Sequence, residues 1–161
     1  MIRLGKLTDY GLVLMTEIAR TPATQLHTAR DLAVQCHLPL PTVSKLLKSL
    51  LQSGLLASHR GVKGGYNLAR DPRVISLAEI ISALEGPFGL TECSTDAIGV
   101  CDLESSCAIK DNQRVISQAI RGALESVMLA DLTRPMHMQL TGIRDQEGNL
   151  VPMANAAGRM Q

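Results

Sequence analysis

Residues 28–69 leave this chain few folds to adopt. Thr28 and Asp31 form a capping-box pair, with Asp in the position usual for Glu, and open a short helix through about Gln35. His37-Leu38-Pro39-Leu40-Pro41 then reads as a turn, with Pro41 suited to the first turn of a second helix because its missing N–H would be unpaired there. Val43, Leu46, Leu47, Leu50 and Leu51 follow at helical spacing, and Gly54 stands where a glycine closes a helix. Residues 55–58 are a short apolar strand, 59–65 a turn rich in glycine and cations, and 66–69 a return strand. Two short helices across a tight turn, followed by a hairpin, predict a winged helix-turn-helix.

The flanks extend this unit. Residues 8–20 predict a first helix capped by Thr8 and ended at Thr21-Pro22. Ser76 and Glu79 form a second capping box, with Ile75 and Ile80 as a staple, and that helix ends near Glu85, before Gly86-Pro87. From Ile109 to about Leu132, Val115, Ile116, Ala119, Ile120, Ala123, Leu124, Val127 and Met128 make one apolar stripe, as a dimer seam would. With no Trp, one Phe and two Tyr, the core must be aliphatic. The expected fold is mainly α with a small β-hairpin wing. Its parts are a DNA-binding domain over 1–75, a linking helix and cysteine loop over 76–108, a dimerisation helix over 109–134 and a disordered tail over 135–161.

Charge supports a nucleic-acid reader. Residues 1–75 carry ten Lys/Arg against four Asp/Glu, whereas 76–161 carry six against eleven. On the second helix of the motif, Thr42, Ser44, Lys45 and Lys48 are the short polar and cationic side chains a recognition helix exposes, and Pro41 can touch a thymine methyl. Lys45 and Lys48 suit phosphates. Arg60 and Lys63 on the glycine-rich turn suit a minor groove. Alone, that helix reads better as a merely solvated face; the adjoining wing reverses this in favour of DNA. Arg3, Lys6, Thr8 and Tyr10 are further candidates for phosphate contacts. Cys36 reads as a buried small residue, and His27, His37 and His59 as scattered, solvated side chains rather than ligands.

Cys93, Cys101 and Cys107 fall within one fifteen-residue stretch that holds no Lys, Arg or His. The gaps of seven and five lack the paired CxxC of structural zinc and suit an object larger than one ion. An iron–sulfur cluster, of the 2Fe-2S or 4Fe-4S type, comes before zinc, a disulfide or free thiols. Glu92, Asp96, Asp102 and Glu104 leave the loop without a cation to activate a thiol, which weakens a thiol switch. Three thiolates are one short of the usual four, so a carboxylate or a residue of another subunit must complete the site. No apolar run approaches a membrane span, and no leader is evident, so the expected location is the cytoplasm. No nucleophile–base set, phosphate loop or HExxH is present, and an enzyme is not expected.

Taken together, these segments resemble the IscR-like winged-helix regulators, bacterial transcription factors that respond to iron–sulfur status or nitric oxide. The features are Arg3-Leu4-x-Lys6-x-Thr8-Asp9-Tyr10-Gly11, Ser53-Gly54-Leu55, the wing Arg60-Gly61-x-x-Gly64-Gly65-Tyr66-x-Leu68-Ala69-Arg70, and three cysteines before a long helix. The resemblance covers residues 1 to about 134. Leu7-Thr8-Asp9-Tyr10-Gly11 and Ala130-Asp131-Leu132-Thr133 are most similar to regulators of the Suf iron–sulfur assembly operon. It implies a homodimer on an inverted-repeat operator, with the cluster on Cys93, Cys101 and Cys107 and its state setting DNA affinity. One branch uses a histidine three residues after the last cysteine, where this chain has Lys110; another uses an aspartate of the partner's first helix, which Asp9 matches. The first cysteine gap is seven here and five in most of the family. The reading is a repressor of cluster-assembly genes. The alternatives are a nitric-oxide- or redox-sensing repressor built from the same parts, or a cluster-carrying protein without specific DNA binding.

Overall fold

The structure is a computed structural model that describes residues 3–91, Ser94 and 106–135. Cys93, Cys101 and the tail beyond 135 lie outside the described residues. Among the described residues, five α-helices and a short sixth accompany a two-stranded hairpin, with a 3-10 turn at Pro72–Val74: α1 (Lys6–Ala19), α2 (Ala29–Gln35), α3 (Leu40–Gln52), β1 (Leu56–His59), β2 (Gly65–Leu68), α4 (Leu77–Glu85), α5 (Lys110–Glu125) and α6 (Leu129–Leu132). No described helix is long and apolar enough to cross a membrane.

Both capping boxes form. Thr28 Oγ1 accepts from the Asp31 N–H while the Asp31 carboxylate accepts from the Thr28 N–H, and Ser76 and Glu79 do the same for α4. Between α2 and α3, His37 takes a positive φ of 53° and turns the chain. α3 buries Val43, Leu46, Leu47 and Leu50, with Leu51 half-buried. It ends in a Schellman motif, in which the Gly54 N–H donates to Leu51 O and the Leu55 N–H to Leu50 O, with Gly54 at φ 71°. The core is aliphatic: Leu14, Met15 and Ile18 of α1 meet Leu32, Val43, Leu47, Leu50, Leu55, Leu56, Ile75, Ile80 and Leu129.

The strands pair antiparallel from Leu56 with Leu68 to His59 with Gly65. The segment before α2 adds a one-residue bridge to this hairpin, His27 with Tyr66, through two N–H···O bonds of 2.9 Å. That approach explains Gly65, and the tight turn explains Gly64. A Cβ on Gly65 would lie 2.8 Å from the His27 carbonyl oxygen, and one on Gly64 only 2.3 Å from the His59 carbonyl oxygen. His27 is therefore not solvated, as its scattered position suggested. It is 2 % exposed, and its Nε2 lies 2.8 Å from the Thr21 hydroxyl, which satisfies the buried ring.

Two helix expectations need correction. α1 starts at Lys6, and Thr8 does not cap it; the N-cap is Gly5, which has no side chain to offer. The single helix expected over 109–132 is two. α5 stops at Glu125 because the next residues are drawn into backbone pairing with the segment before α4: the Leu77 N–H donates to Val127 O, and the Leu129 N–H to Ile75 O, both at 2.8 Å. The Asp131 carboxylate then accepts from the Met128 N–H at 2.9 Å and opens α6. α6 carries Leu129 into the winged-helix core, where it is fully buried. Propensity favours continuing the helix, but burial of a leucine overrides it.

Candidate nucleic-acid interface and cluster site

The first site is the surface formed by α3 and the turn of the hairpin. The inward face of α3 is fixed by its four buried apolar side chains, which turns the other face outward. Pro41, Ser44, Lys45 and Lys48 are exposed there, and Thr42 is half-buried. Pro41 lies in the first turn, so no backbone donor is lost. Lys45 and Lys48 make no ion pair with any described residue. At the hairpin turn Arg60, Gly61, Val62 and Lys63 are all exposed. Gly61, at φ 121°, supplies the left-handed conformation that closes the turn. Neither Arg60 nor Lys63 is paired with a described residue, so four cations on these two elements keep their full field for a polyanion.

Arg3, Lys6, Thr8 and Tyr10 are the further candidates for phosphate contacts. Arg3 and Lys6 are exposed, and the Lys6 ammonium lies 5.5 Å from the centroid of the Tyr10 ring. Thr8 cannot join them: it is 1 % exposed and spends its hydroxyl on Glu85. Arg30, on the exposed face of α2 and also without an ion pair to a described residue, was not singled out by any local pattern. Other arginines are engaged. Arg73 grips Asp71 at 2.6 Å and, with its backbone N–H, holds that carboxyl at about 2. Arg70 bonds Glu79 at 2.8 Å.

The second site is the expected cluster site. Cys93 and Cys101 lie outside the described residues, so the grouping of the three thiols is untested by geometry; among the described residues no three metal-ligating side chains come together. What is described are the ends of the loop. Glu85 closes α4, and Gly86 turns the chain at φ 92°. Beyond it Leu90 reaches α5, where its N–H donates to the buried Ser117 hydroxyl at 3.3 Å. Cys107 re-enters just before α5 as a free, half-buried thiol. Asp9 stands exposed on the first turns of α1, and its carboxylate makes no hydrogen bond or ion pair with a described residue. A free thiol and a free carboxylate are donors of the kind a cluster needs, so both described members of the expected ligand set fit. Lys110 is held by other contacts and, as an ammonium, is no ligand. Cys36, at the end of α2, is half-buried rather than buried; burial, and then the Glu17 charge, push its thiol above the ordinary range.

Along α5 only Ser117 is buried; Val115 and Ile116 are exposed, while Ile120 and Leu124 are half-buried. Part of the apolar stripe thus faces outward in the single chain.

Residues 4–135 match the Rrf2 family profile, described as iron-dependent transcriptional regulator. A protein of Mycobacterium tuberculosis named as an HTH-type transcriptional regulator, Rv1287, is 31% identical over 134 residues, 81% of each chain. The HTH-type transcriptional regulator NsrR of Shouchella clausii is 27% identical over 131 residues, 81% of this chain and 88% of the other. Among solved structures, CymR, the global cysteine regulator of B. subtilis, superposes with a TM-score of 0.65 at 27% identity, over 83% of this chain and 97% of the other. IscR of T. potens gives 0.62 at 27% identity, over 81% and 85%.

Proposed function

Because the chain belongs to the Rrf2 family of winged helix-turn-helix transcriptional regulators, and so is a DNA-binding regulator rather than an enzyme, we propose that it is a homodimeric, cytoplasmic repressor of iron–sulfur assembly genes that reports cluster supply. The observation that carries the DNA reading is the set of unpaired cations on α3 and the wing, Lys45, Lys48, Arg60 and Lys63. Pro41, Thr42 and Ser44 supply the base-facing contacts of α3. The exposed Val115 and Ile116 of α5 supply the dimer seam, which sets two heads about one helical turn apart on an inverted repeat.

Cys93, Cys101 and Cys107 would hold the cluster, with Asp9 of the partner subunit as the fourth ligand. When bound, the cluster supplies an iron centre whose loss follows iron shortage or oxidation. The protein's part is to carry the loop between α4 and α5, so that occupancy changes where the two heads sit. A carboxylate binds such a centre less firmly than a thiolate, which suits a sensor that must release it.

Anaerobic purification tests this, with absorption, iron and sulfide measured alongside operator affinity over a salt series. Visible absorbance that disappears in Cys107→Ala, together with an affinity that changes with occupancy, is the expected result. A colourless protein with salt-dependent operator binding would favour a second reading: a regulator acting through the thiols without iron. The likeness to the cysteine regulator CymR is what supports that reading. A nitric-oxide-sensing repressor has the same parts, and its target promoters distinguish it.

A further inference from the structure

The N-terminus of α1 is capped from eighty residues away. The Glu85 carboxylate accepts from the Gly5 N–H at 2.6 Å and from the Thr8 hydroxyl at 2.5 Å, through the same oxygen, Oε1. Gly5 is the N-cap and Thr8 the third helical residue. A local capping box would place an acid at that third position. Here α4 provides it through space, and the negative group also meets the positive end of the α1 dipole.

The junction is tight. Thr8 is 1 % exposed, and Glu85 is its sole side-chain partner among the described residues. One turn further along, a Cβ on Gly11 would meet Leu84 Cδ1 at 2.3 Å, so the two helices touch where α1 has no side chain. Glu85 is also the last residue of α4, and the chain runs from it through Gly86 into the segment that carries Cys93 and Cys101. The far side of that entry is tied to α5 by Leu90 and Ser117. The residue that ends α4, just before the cysteine loop, is therefore the one that caps the helix bearing Asp9.

We infer that Glu85 is a positioning residue that couples the cysteine loop to the first helix, so that a change in the loop is felt at Gly5, Thr8 and Asp9 and, through α1, at the reading head. This inference rests on the sensing role proposed above. It adds a path within one chain to the contact between subunits that the partner's Asp9 would make. α1 packs on both α3 and α4, so it is placed to pass a shift from the loop to the recognition helix.

The test compares wild type, Glu85→Ala, Thr8→Val and Glu85→Gln, each prepared anaerobically with and without ferrous iron and sulfide. Absorbance and affinity are read on a duplex that the wild type selects from a random pool. Iron and sulfide should change wild-type affinity by roughly tenfold. Glu85→Ala and Thr8→Val should bring that ratio to about unity at undiminished absorbance per chain, with metal-free affinity unchanged. Glu85→Gln, which keeps the accepting oxygen, should retain it. A full ratio in Glu85→Ala and Thr8→Val overturns the coupling.

If the wild type takes up no cluster, or takes it up without a change in affinity, the sensing reading fails and a second measurement judges the junction. In a Cys36→Ala background, maleimide on the loop thiols should speed hydrogen exchange at residues 5–9 by roughly fivefold, the loss of about one net hydrogen bond. Glu85→Ala should exchange fast already and gain nothing from the reagent. Exchange in the Cys36→Ala protein that is the same before and after modification overturns the junction as a coupling device.

Discussion

The Thr8 hydroxyl and the Glu85 carboxylate are joined by a 2.5 Å hydrogen bond between the first turn of α1 and the last residue of α4. This contact closes the winged-helix unit at the end where the cysteine loop departs. The recognition helix also packs on α1, so one helix touches both the capping acid and the element that reads DNA. The DNA surface and the start of the loop are thus parts of one packed body, sharing α1 as a common wall.

The lysines of α3 should carry affinity without sequence information. Lys45→Ala and Lys48→Ala are each expected to weaken operator and random duplex alike, and to lower the salt dependence of log K by about 0.9 for each phosphate no longer neutralised. Arg60→Ala should instead weaken binding most where the flanks are A·T-rich. A salt series on both duplexes checks this; a Lys48→Ala that loses specificity and keeps its salt slope would place that side chain on a base.

Gly65→Ala should destabilise the fold by about 1–3 kcal/mol. The new Cβ would meet His27 backbone atoms at 2.8 to 3.1 Å, and backbone cannot rotate away. Gly11→Ala should cost less, because its nearest neighbour is the far end of the Leu84 side chain, which can turn aside. Denaturant unfolding of the two variants gives the ranking.

Much of this was legible in the sequence because the signals were local. The Thr28 and Ser76 capping boxes, the Gly54 close of α3 and the glycine-rich turn each depend on residues a few positions apart, and the structure has all of them. What was missed depends on distant partners. Thr8 read as an N-cap because a threonine before an apolar run is one; its true role needs Glu85, 77 residues on. His27 read as solvated because nothing nearby announces that the hairpin will pair with it. The helical stripe carried through Val127 and Met128, yet the backbone there pairs with residues before α4 and breaks the helix. Of the expected cluster ligands, only Cys107 and Asp9 fall among the described residues.

Leu129→Ala tests the fold-back of α6. Leu129 is fully buried among core residues of the winged helix, so its truncation should cost about 2–5 kcal/mol, like any large core leucine. An isolated peripheral helix would give far less. A chain shortened to end at Glu125 should be destabilised by a similar amount, read by thermal unfolding.

Two carboxylates set an acid limit. Arg73 hydrogen bonds hold Asp71 at about 2, below its ordinary 3.8. Burial pushes Glu79 up, but the bonds from Arg70 and the Ser76 N–H outweigh it and leave the group below its ordinary 4.5. A depressed folded value means a contribution present above the ordinary value and lost as pH falls through the folded one. Thermal stability should therefore fall as pH drops from 4.5 towards 2. Arg70→Ala should flatten the upper part of that fall, and Asp71→Asn should flatten its lower part only slightly, because solvent screens that exposed pair. An unchanged profile in Arg70→Ala would show that the Glu79 bond adds nothing in solution.

The proposed ligand set predicts an order of damage. Thiolates bind iron strongly and a carboxylate less so, which means the four ligands should not be equivalent. Cys93→Ala, Cys101→Ala and Cys107→Ala should each abolish visible absorbance after anaerobic reconstitution. Asp9→Ala should permit assembly but shorten the lifetime of the absorbance in air, and Asp9→Cys should lengthen it by restoring a fourth thiolate. Mixing Asp9→Ala with Cys107→Ala chains gives the sharper reading. If Asp9 acts across the dimer, the two defects fall on one site of the heterodimer, and its other site is wild type and keeps a normal lifetime. If it acts within its own chain, each site carries one defect, and no normal component remains.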